Sequence, residues 1–591
     1  MHQPETYYRK RLTNFREKHK AVRGKLAWVS VLRLLVFLTA CILLYIYHDT
    51  SRQITLICIP GLLLFLILVN YSVRMKYLRN TFRELIRINQ TEIDVLKGSP
   101  KDLDKGEDLK DRTHAFSHDI DLFGEGSFFQ YCNRTVTSMG RRYFAAELSG
   151  NDIERIGEKQ EATAELSALP DWRQEFMANA ALIATETPEE EILKWIRNFQ
   201  PTLPHRLKWL PLAWTLCSLA ITTLAVAGVI STGIFIYWFV SGLILSGIFL
   251  SRISRLSIFI SKSQDTFKQY QKLIAFIESR DFKSNYLREQ KQKGAEGEVT
   301  ASVSLKKLAR MIDALDQRNN LLVAVLINPL GLADLYNGLR IEKWVMEHRE
   351  EVPKWFEMIA FFDAAITKAN FHFNHPAYCF PEINSGSDSG VIQAEDLGHP
   401  LIPEEKLVRN TVHMGPHEFM VVTGANMAGK STFLRTAALF IVMSNSGFPV
   451  CAGKAIYRPI RLITSMRTAD SLNEESSYFY AELKRLRFIV DALKEREYFI
   501  ILDEILKGTN SKDKAMGSRK FVERLAGSGS TGIIATHDLS LCEVAKEIKS
   551  VKNYFFDAYI ENSALRFDYR LRPGICTNMN ASFLLDQMGI V

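Results

Sequence analysis

The sequence of 591 residues predicts an α/β domain with a parallel sheet in its C-terminal part, preceded by a helical region that contains two pairs of long apolar segments. Three observations support this prediction. A glycine-rich loop at 423–432 lies between an apolar run and a helical pattern. A second apolar run ends in acidic residues at 503 and 504. Four apolar stretches precede residue 251, each close to the roughly 20 residues that cross a bilayer.

The glycine-rich loop has the spacing of a phosphate-binding loop. Residues 419–422 read FMVV, residues 423–432 read TGANMAGKST, and an apolar helical pattern follows, which gives strand, loop and helix in that order. Glycine lets backbone amides approach an anion, and the N-terminus of the helix attracts negative charge. The predicted nucleotide-binding residues are Gly424, Ala425, Asn426, Met427, Ala428, Gly429, Lys430, Ser431 and Thr432. We expect Lys430 to neutralise the outer phosphates of ATP and Ser431 to bind Mg²⁺.

Two further strand ends supply an acidic pair and a histidine. The apolar run 498–502 is typical of a strand buried on both faces, and it ends in Asp503 and Glu504. At the carboxyl end of such a strand, Asp503 can hold Mg²⁺ with Ser431, and Glu504 can polarise a water molecule. The run 532–536 ends in His537, which we expect to contact the γ-phosphate or the attacking water. Taken alone, His537 would more often be a structural histidine.

These motifs, in this order, resemble those of the MutS family of DNA mismatch-repair ATPases. TGANMAGKST is similar to the family's TGPNMGGKST, the segment DEILKGT at 503–509 is similar to DEIGRGT, and ATH at 535–537 matches the family. The segment SYFYAEL at 477–483 resembles the family's signature segment, which implies that Ser477 acts in trans on the nucleotide of a partner subunit. The resemblance therefore implies an ABC-like P-loop ATPase domain of the MutS C-terminal type, which uses ATP and Mg²⁺ and forms a homodimer through its ATPase domains.

The sequence also departs from the family pattern. Ala428 and Leu506 replace glycines, and Glu475 and Ser476 stand where the signature tends to Gly and Arg. Leu407 occupies the place of the aromatic residue on which the family often stacks adenine. The residues before the helical core are too few for the family's N-terminal mismatch-recognition domain, so we expect that domain to be absent.

The four apolar segments form two closely spaced pairs, 26–47 with 54–71 and 210–230 with 234–250. One such segment could be a buried core helix, but two pairs with short links favour two transmembrane helical hairpins. Basic residues flank the outer ends of both pairs, and the turns carry almost none, which places the termini and the soluble domains in the cytoplasm. The sequence therefore predicts an integral membrane protein, of a bacterial-type inner membrane, in contact with lipid.

The amino-acid composition excludes few classes of binding partner. The net charge of +8 is mildly basic, and much of it flanks the apolar segments, where anionic lipid explains it as well as DNA does. The eight cysteines show no C-x-x-C spacing, so the sequence predicts neither a zinc site nor a disulfide framework.

The expected organisation has seven parts. In chain order they are a basic cytoplasmic arm (1–25), transmembrane hairpin 1 (26–76), a helix and linker (77–112), the first part of an all-α MutS-type core (113–204), transmembrane hairpin 2 (205–252), the second part of the helical core or lever (253–373) and the MutS-type P-loop ATPase domain (374–591). Within the second part of the core, the pattern predicts one long charged helix over 258–292.

Three functions are compatible with this organisation. The resemblance favours a DNA-handling ATPase tethered to the membrane, with DNA as an expected partner. The alternative is a membrane scaffold or mechanochemical ATPase without DNA recognition, which the missing mismatch domain and the apolar spans favour. An ATP-driven transporter is the weakest hypothesis, because the chain lacks an L-S-G-G-Q signature and the spans have few polar residues to line a path.

Overall fold

The computed structural model describes residues 4–576, except 48–50, 99, 101, 183–187, 295–299, 320–322, 385, 387–389, 426, 468–477, 508–509 and 562–563. The chain forms two compact units. The first unit comprises Met1–Ile93, Val136–Gly140 and Asp171–Asp363. The second comprises Asp94–Thr135, Arg141–Pro170 and Ala364–Val591.

The chain is helical up to residue 374 and then alternates strands with helices. The described helices are α1 (Pro4–Ile46), α2 (Ser51–Leu96), α3 (Phe128–Cys132), α4 (Ser138–Ser149), α5 (Ile156–Ser167), α6 (Pro170–Ala181), α7 (Glu189–Arg197), α8 (Leu210–Val226), α9 (Thr232–Glu278), α10 (Asn285–Lys293), α11 (Ala301–Asp316), α12 (Asn328–Gly331), α13 (Ala333–Glu347), α14 (Glu351–Asn374), α15 (Lys430–Asn445), α16 (Tyr478–Ala492), α17 (Ser511–Ala526) and α18 (Val544–Glu547). The described strands are β1 (Glu382–Ile383), β2 (Ile392–Leu397), β3 (Asn410–Met414), β4 (Phe419–Gly424), β5 (Lys454–Tyr457), β6 (Arg461–Ser465), β7 (Tyr498–Asp503), β8 (Thr531–Ala535), β9 (Val551–Glu561) and β10 (Ala564–Pro573).

In the first unit, α1 and α2 form a long antiparallel pair. The ring of Phe15 stacks on Phe82 at 6.1 Å between centroids, and Val22 and Leu26 pack against Met75. The predicted basic arm is therefore part of the same continuous helix as the apolar segment that follows it. Apolar contacts between the polar halves of α1 and α2 hold the pair together outside the apolar segments.

The second apolar pair forms α8 and the first half of α9. The indole rings of Trp214 and Trp238 stack with centroids 3.9 Å apart, and Trp238 Nε1 donates a hydrogen bond to Ser218 Oγ at 2.8 Å. Helix α9 continues far beyond the apolar stretch, and buried residues there recur at helical spacing, from Ile253 to Ile277. One helix of 47 residues thus joins the apolar pair to the helical core of this unit.

Four helices in the described part of the chain are long and apolar enough to cross a membrane: Pro4–Ile46, Ile54–Leu96, His205–Val226 and Thr232–Glu278. Only 6% to 11% of their most apolar windows is buried inside the protein, so most of this apolar surface faces outward. Outward-facing apolar surface on such helices suits a lipid environment.

The helix predicted over 258–292 is interrupted. Helix α9 ends at Glu278, and α10 begins at Asn285. In the break, the ring of Phe282 packs edge-on against Trp172 at 5.6 Å and stacks against Phe362 at 5.2 Å. The charged pattern of this region did not reveal the break, because Phe282 packs against residues that are distant in the sequence.

The second unit is built on a six-stranded sheet with strand order β10-β9-β4-β8-β7-β6. The strands β9, β4, β8, β7 and β6 are parallel, and β10 pairs antiparallel with β9. A four-stranded sheet, β1-β5-β2-β3, accompanies it. All six residues of β4 are buried, as expected for a central parallel strand. The carboxyl ends of β4, β7 and β8 therefore lie at one edge of the sheet.

Residues 94–135 and 141–170 belong to this second unit, whereas the sequence placed 113–204 in the helical core. Phe128 and Phe129 are fully buried in the same apolar cluster as Phe440 of α15. Asp119 accepts hydrogen bonds from Thr464 Oγ1 at 2.6 Å and from the amide of Met466 at 3.1 Å. The phenylalanine-rich segment before α4 thus completes the core around the sheet, which its position in the sequence did not indicate.

Two glycines of α9, at positions 242 and 247, offer a matched stability test. A Cβ added at Gly242 would overlap the carbonyl oxygen of Pro329, whereas one added at Gly247 would meet nothing within 4 Å. We expect Gly242→Ala to lower the free energy of unfolding by about 1–3 kcal/mol, as overpacking does. Gly247→Ala should be neutral or stabilising, since alanine favours helix. Thermal unfolding in detergent measures both, and equal Tm values would contradict the close contact at Gly242.

Candidate active site

The loop between β4 and α15 is shaped by two left-handed glycines. Gly424 has a φ of 148° and Gly429 a φ of 103°, both in the region that favours glycine. A Cβ at Gly424 would lie 2.7 Å from the carbonyl oxygen of Phe556, so a side chain does not fit there. Ala428, which replaces a family glycine, is fully buried, and the neighbouring Met427 is 83% exposed. The loop therefore brings backbone close to a site at the N-terminus of α15, as a phosphate cradle requires.

Lys430 is the first residue of α15 and is buried in this loop. Its Nζ donates to the carbonyl oxygens of Gly424 at 2.8 Å and Ala425 at 3.0 Å. Burial lowers the pKa of Lys430, and the nearby carboxylates of Asp503 and Glu504 oppose that shift. A cation held here by carbonyl oxygens can exchange them for phosphate oxygens, which bind it more strongly.

Ser431 and Asp503 meet across two different elements. The Oγ of Ser431, in α15, donates to Oδ2 of Asp503, at the end of β7, at 2.8 Å. A hydroxyl and a carboxylate are the oxygen ligands that Mg²⁺ prefers beside phosphate. This donor set fits the metal, which would neutralise charge on the phosphates.

Glu504 and His537 form a second pair at the same edge. His537 Nε2 lies 3.0 Å from Glu504 Oε1 and 3.2 Å from Lys430 Nζ. The hydrogen bond from His537 lowers the pKa of Glu504 to about 2, so the carboxylate is ionised at neutral pH. A carboxylate with so low a pKa accepts a proton poorly while His537 is bound to it, but it can orient a water molecule. Because Nε2 cannot donate to Glu504 and accept from Lys430 at once, the two contacts exclude each other.

The backbone that carries Glu504 is held by a residue that the sequence analysis did not single out as functional. Glu504 and Leu506 have φ of 52° and 59°, a conformation that non-glycine residues rarely adopt. The buried carboxylate of Glu482, in α16, accepts from the amides of Leu506 at 2.5 Å and Lys507 at 3.1 Å. Glu482 therefore stabilises the strained loop after Asp503. The feature of the sequence that could have identified Glu482 is its position, five residues after Ser477 in the segment SYFYAEL.

A cavity of about 650 Å³ adjoins the loop, and Lys430 is among the residues that line it. Leu407 lines it, as expected from the sequence, and so does Tyr569 of β10, which the sequence analysis missed. A register shift in β10 and a φ of 55° set the position of Tyr569, and Asn410 Nδ2 donates to its carbonyl oxygen at 3.1 Å. An aromatic ring at this place can stack on a nucleobase. No local motif marks Tyr569, because a strand irregularity brings it to the cavity.

Most of the predicted site residues are thus brought together, with two exceptions. Asn426 and Ser477 lie outside the described residues. Gly424, Ala425, Met427, Ala428, Gly429, Lys430, Ser431, Thr432, Asp503, Glu504 and His537 all lie at the loop or at the adjoining strand ends. Their roles in ATP binding and hydrolysis are proposals from this geometry.

Comparison with known proteins agrees with the loop and strand-end motifs. Residues 420–583 match the family model described as MutS domain V. MutS domain V is an ATPase, so the matched residues form an ATPase domain of this type, as the sequence predicted. The part of the chain before residue 420 lies outside this match.

Several MutS proteins are distant relatives over part of their length. The DNA mismatch repair protein MutS of Persephonella marina is 30% identical over 241 residues, which cover 40% of this chain and 27% of the relative. MutS of Natronomonas pharaonis is 34% identical over 203 residues, covering 33% and 23%, respectively. The DNA mismatch repair protein MSH4 of Arabidopsis thaliana is 32% identical over 201 residues, covering 33% and 25%. The chain spans about a quarter of the length of these relatives.

Removing the Glu482 carboxylate should slow turnover without weakening nucleotide binding. Glu482→Ala leaves two loop amides unpaired and frees the segment that carries Glu504, and misplacing a catalytic group by about 1 Å can cost roughly 100-fold in rate. We therefore expect kcat for ATP to fall by about 10- to 100-fold. The dissociation constant for ATP should change by less than about twofold, since Glu482 does not line the cavity.

Glu495→Ala is the matched control, because Glu495 is an exposed carboxylate of the same domain. Steady-state ATP hydrolysis gives kcat, and equilibrium binding of a fluorescent ATP analogue gives the dissociation constant. Normal kcat in Glu482→Ala would mean that the loop holds its conformation without this residue.

Proposed function

We propose that the protein is a membrane-anchored, MutS-like ATPase in which Mg²⁺-dependent hydrolysis of ATP is coupled to closure of a homodimer and to the handling of DNA. The main support is the convergence of three groups at one sheet edge. These groups are the Lys430 ammonium, the Ser431–Asp503 pair and the Glu504–His537 pair. Together they provide phosphate binding, a metal site and a group that orients water.

Each residue has a defined part in the proposed reaction. The loop amides and Lys430 bind the phosphates, and Ser431 and Asp503 hold Mg²⁺. Glu504 orients the attacking water in line with the γ-phosphate, and His537 contacts the γ-phosphate. When Lys430 moves from the loop carbonyls to the phosphates, it gives up its contact with His537 Nε2. When His537 then turns to the γ-phosphate, its hydrogen bond to Glu504 is broken, which leaves Glu504 free for the water.

Dimer closure is proposed from the segment before α16. In MutS-like proteins this segment reaches the nucleotide of the partner subunit, and Ser477 would complete the partner's site there. Binding of ATP would then favour the closed dimer, and hydrolysis would release it, as in other two-state switches driven by the γ-phosphate.

DNA handling and membrane anchoring rest on different observations. The relatives that match the ATPase domain are named as DNA mismatch repair proteins, which supports DNA as a partner. The four long apolar helices with outward-facing surface support an integral position in a bacterial-type inner membrane, with the soluble parts in the cytoplasm. These helices also favour the second candidate function, a membrane scaffold or mechanochemical ATPase without DNA recognition.

Both candidate functions require the ATPase site, which two variants test. Full-length protein in nanodiscs should hydrolyse ATP, and Lys430→Ala should abolish tight ATP binding, whereas Lys454→Ala, at an exposed lysine of β5, should not. Glu504→Gln should bind ATP, hydrolyse it slowly and accumulate as a dimer, with Glu495→Gln as the control.

The two candidate functions differ in whether DNA binds to the enzyme and stimulates it. DNA handling predicts salt-sensitive, nucleotide-dependent binding to duplex, mismatched, single-stranded or branched DNA. Robust ATPase activity with no DNA binding or stimulation would favour the scaffold.

The action of Ser477 in trans can be tested by mixing two inactive variants. Ser477→Ala should bind ATP but turn over slowly, and Lys430→Ala should fail to bind ATP. In a mixed dimer, the Lys430→Ala protomer supplies an intact Ser477 to the ATP-bearing site of the other protomer. Random exchange of a symmetric dimer should therefore restore about a quarter of the wild-type rate. No recovery in a mixture shown to exchange subunits would contradict the trans role.

A further inference from the structure

A short apolar segment between α11 and α13 belongs to none of the predicted spans. It consists of a π-helical turn, Val323–Ile327, followed by α12 (Asn328–Gly331), and we call residues 323–331 the apolar turn. The charged residues nearest to it in the sequence are Arg318 and Asp334. The apolar turn is far too short to cross a bilayer, which needs about 20 residues in a helix.

The apolar turn packs against both helices of the second apolar pair. The backbone of Pro329 lies so close to Gly242 of α9 that no Cβ would fit between them. Trp214 Nε1, in α8, donates to the carbonyl oxygen of Pro329 at 2.8 Å. Thr215 Oγ1, which donates to the carbonyl oxygen of Pro211 at 2.7 Å, also lies 3.2 Å from that of Gly331. Side chains of α8 thus approach carbonyl oxygens at the end of the short helix α12, which have few partners within so short a helix and need them at membrane depth.

We call the apolar parts of α8 and α9, residues 210–226 and 234–250, the apolar band. The contacts place the apolar turn within this band and not beyond its end. At a rise of about 1.5 Å per residue, Gly242 lies about 12 Å from Leu250, where the apolar stretch of α9 ends. Trp214 lies about 6 Å from Leu210, the start of α8, on the same scale. Arg318, by contrast, donates to Ser254 Oγ at 3.0 Å, beyond the end of the apolar stretch. The chain therefore enters the apolar band after Arg318.

The outer face of the apolar turn is uncovered and wholly apolar. Val325 is 40% exposed, Leu326 is 53% exposed and Ile327 is 54% exposed. Three large apolar side chains in a row are unfavourable in water, at about 25 cal/mol for each Å² of apolar surface. The helices against which the apolar turn packs, α8 and α9, have apolar windows that are likewise only 11% buried.

We propose that residues 323–331 form a re-entrant segment that enters the cytoplasmic leaflet beside the second transmembrane hairpin and contacts lipid acyl chains through Val325, Leu326 and Ile327. This inference rests on the proposed membrane anchoring through α8 and α9. It adds a lipid contact on the chain between α11 and α13, so the helical core is attached to the membrane by this loop as well as by α9.

Photo-crosslinking to lipid tests the proposal on the full-length protein. A benzophenone amino acid replaces Leu326 or, in a second variant, Ile327, and the protein is reconstituted into vesicles that contain a phospholipid with an alkyne-tagged acyl chain. Leu219 of α8, which is 66% exposed, is the positive control for a lipid-facing residue. Val303 of α11 is the negative control, because it is 45% exposed and apolar. Its neighbour Ser302 bonds to Glu278, about 40 Å along α9 from Leu250.

We expect the yield of lipid adducts at positions 326 and 327 to lie within about twofold of the yield at position 219. It should be roughly tenfold higher than the yield at position 303, because acyl chains reach only residues inside the hydrocarbon region. Adducts at 326 and 327 as low as at 303, with normal adducts at 219, would overturn the re-entrant segment and leave the anchoring intact. Low adducts at 219 as well would overturn both. Crosslinks from 326 to a second copy of the chain in place of lipid would also overturn the proposal.

Discussion

The parallel register of β4, β8 and β7 is the constraint on which the candidate site depends. Val422 of β4 aligns with Ala535 of β8, and Ala535 aligns with Asp503 of β7. Because neighbouring strands lie about 4.8 Å apart, this alignment brings the loop after β4 within reach of Asp503 and of His537. A slip of one residue in β7 would turn Asp503 to the opposite face of the sheet and separate it from Ser431.

The first unit depends on the distribution of apolar surface along its helices. Its long helices carry apolar surface that no part of the described protein covers, and polar halves that pack with one another. Helix α9 combines both characters in one element, apolar and outward-facing up to Leu250 and amphipathic from Ile253 onward. A single helix therefore links the outward-facing apolar surface to the packed helical core of this unit.

The sequence indicated which strand ends and loop converge more readily than it indicated the architecture around them. Residues 423–432, 503–504 and 537 were identifiable because phosphate and metal chemistry fixes residue types at short spacings. Tyr569 was missed because a strand irregularity, which leaves no motif, brings it to the cavity. The packing of Phe128 and Phe129 around the sheet and the helix break at Phe282 depend on long-range contacts between residues distant in the chain. Helical and apolar periodicity does not encode such contacts.

The position of Glu482 has a consequence for timing. Helix α16 begins directly after the segment that contains Ser477, and Glu482 near its start holds the loop that carries Glu504. In a homodimer closed through Ser477, the start of α16 would lie at the partner's nucleotide. A little over one helical turn further along α16, Glu482 would hold the loop that carries the protomer's own Glu504. Nucleotide bound at one site would then adjust the rate of hydrolysis at the other.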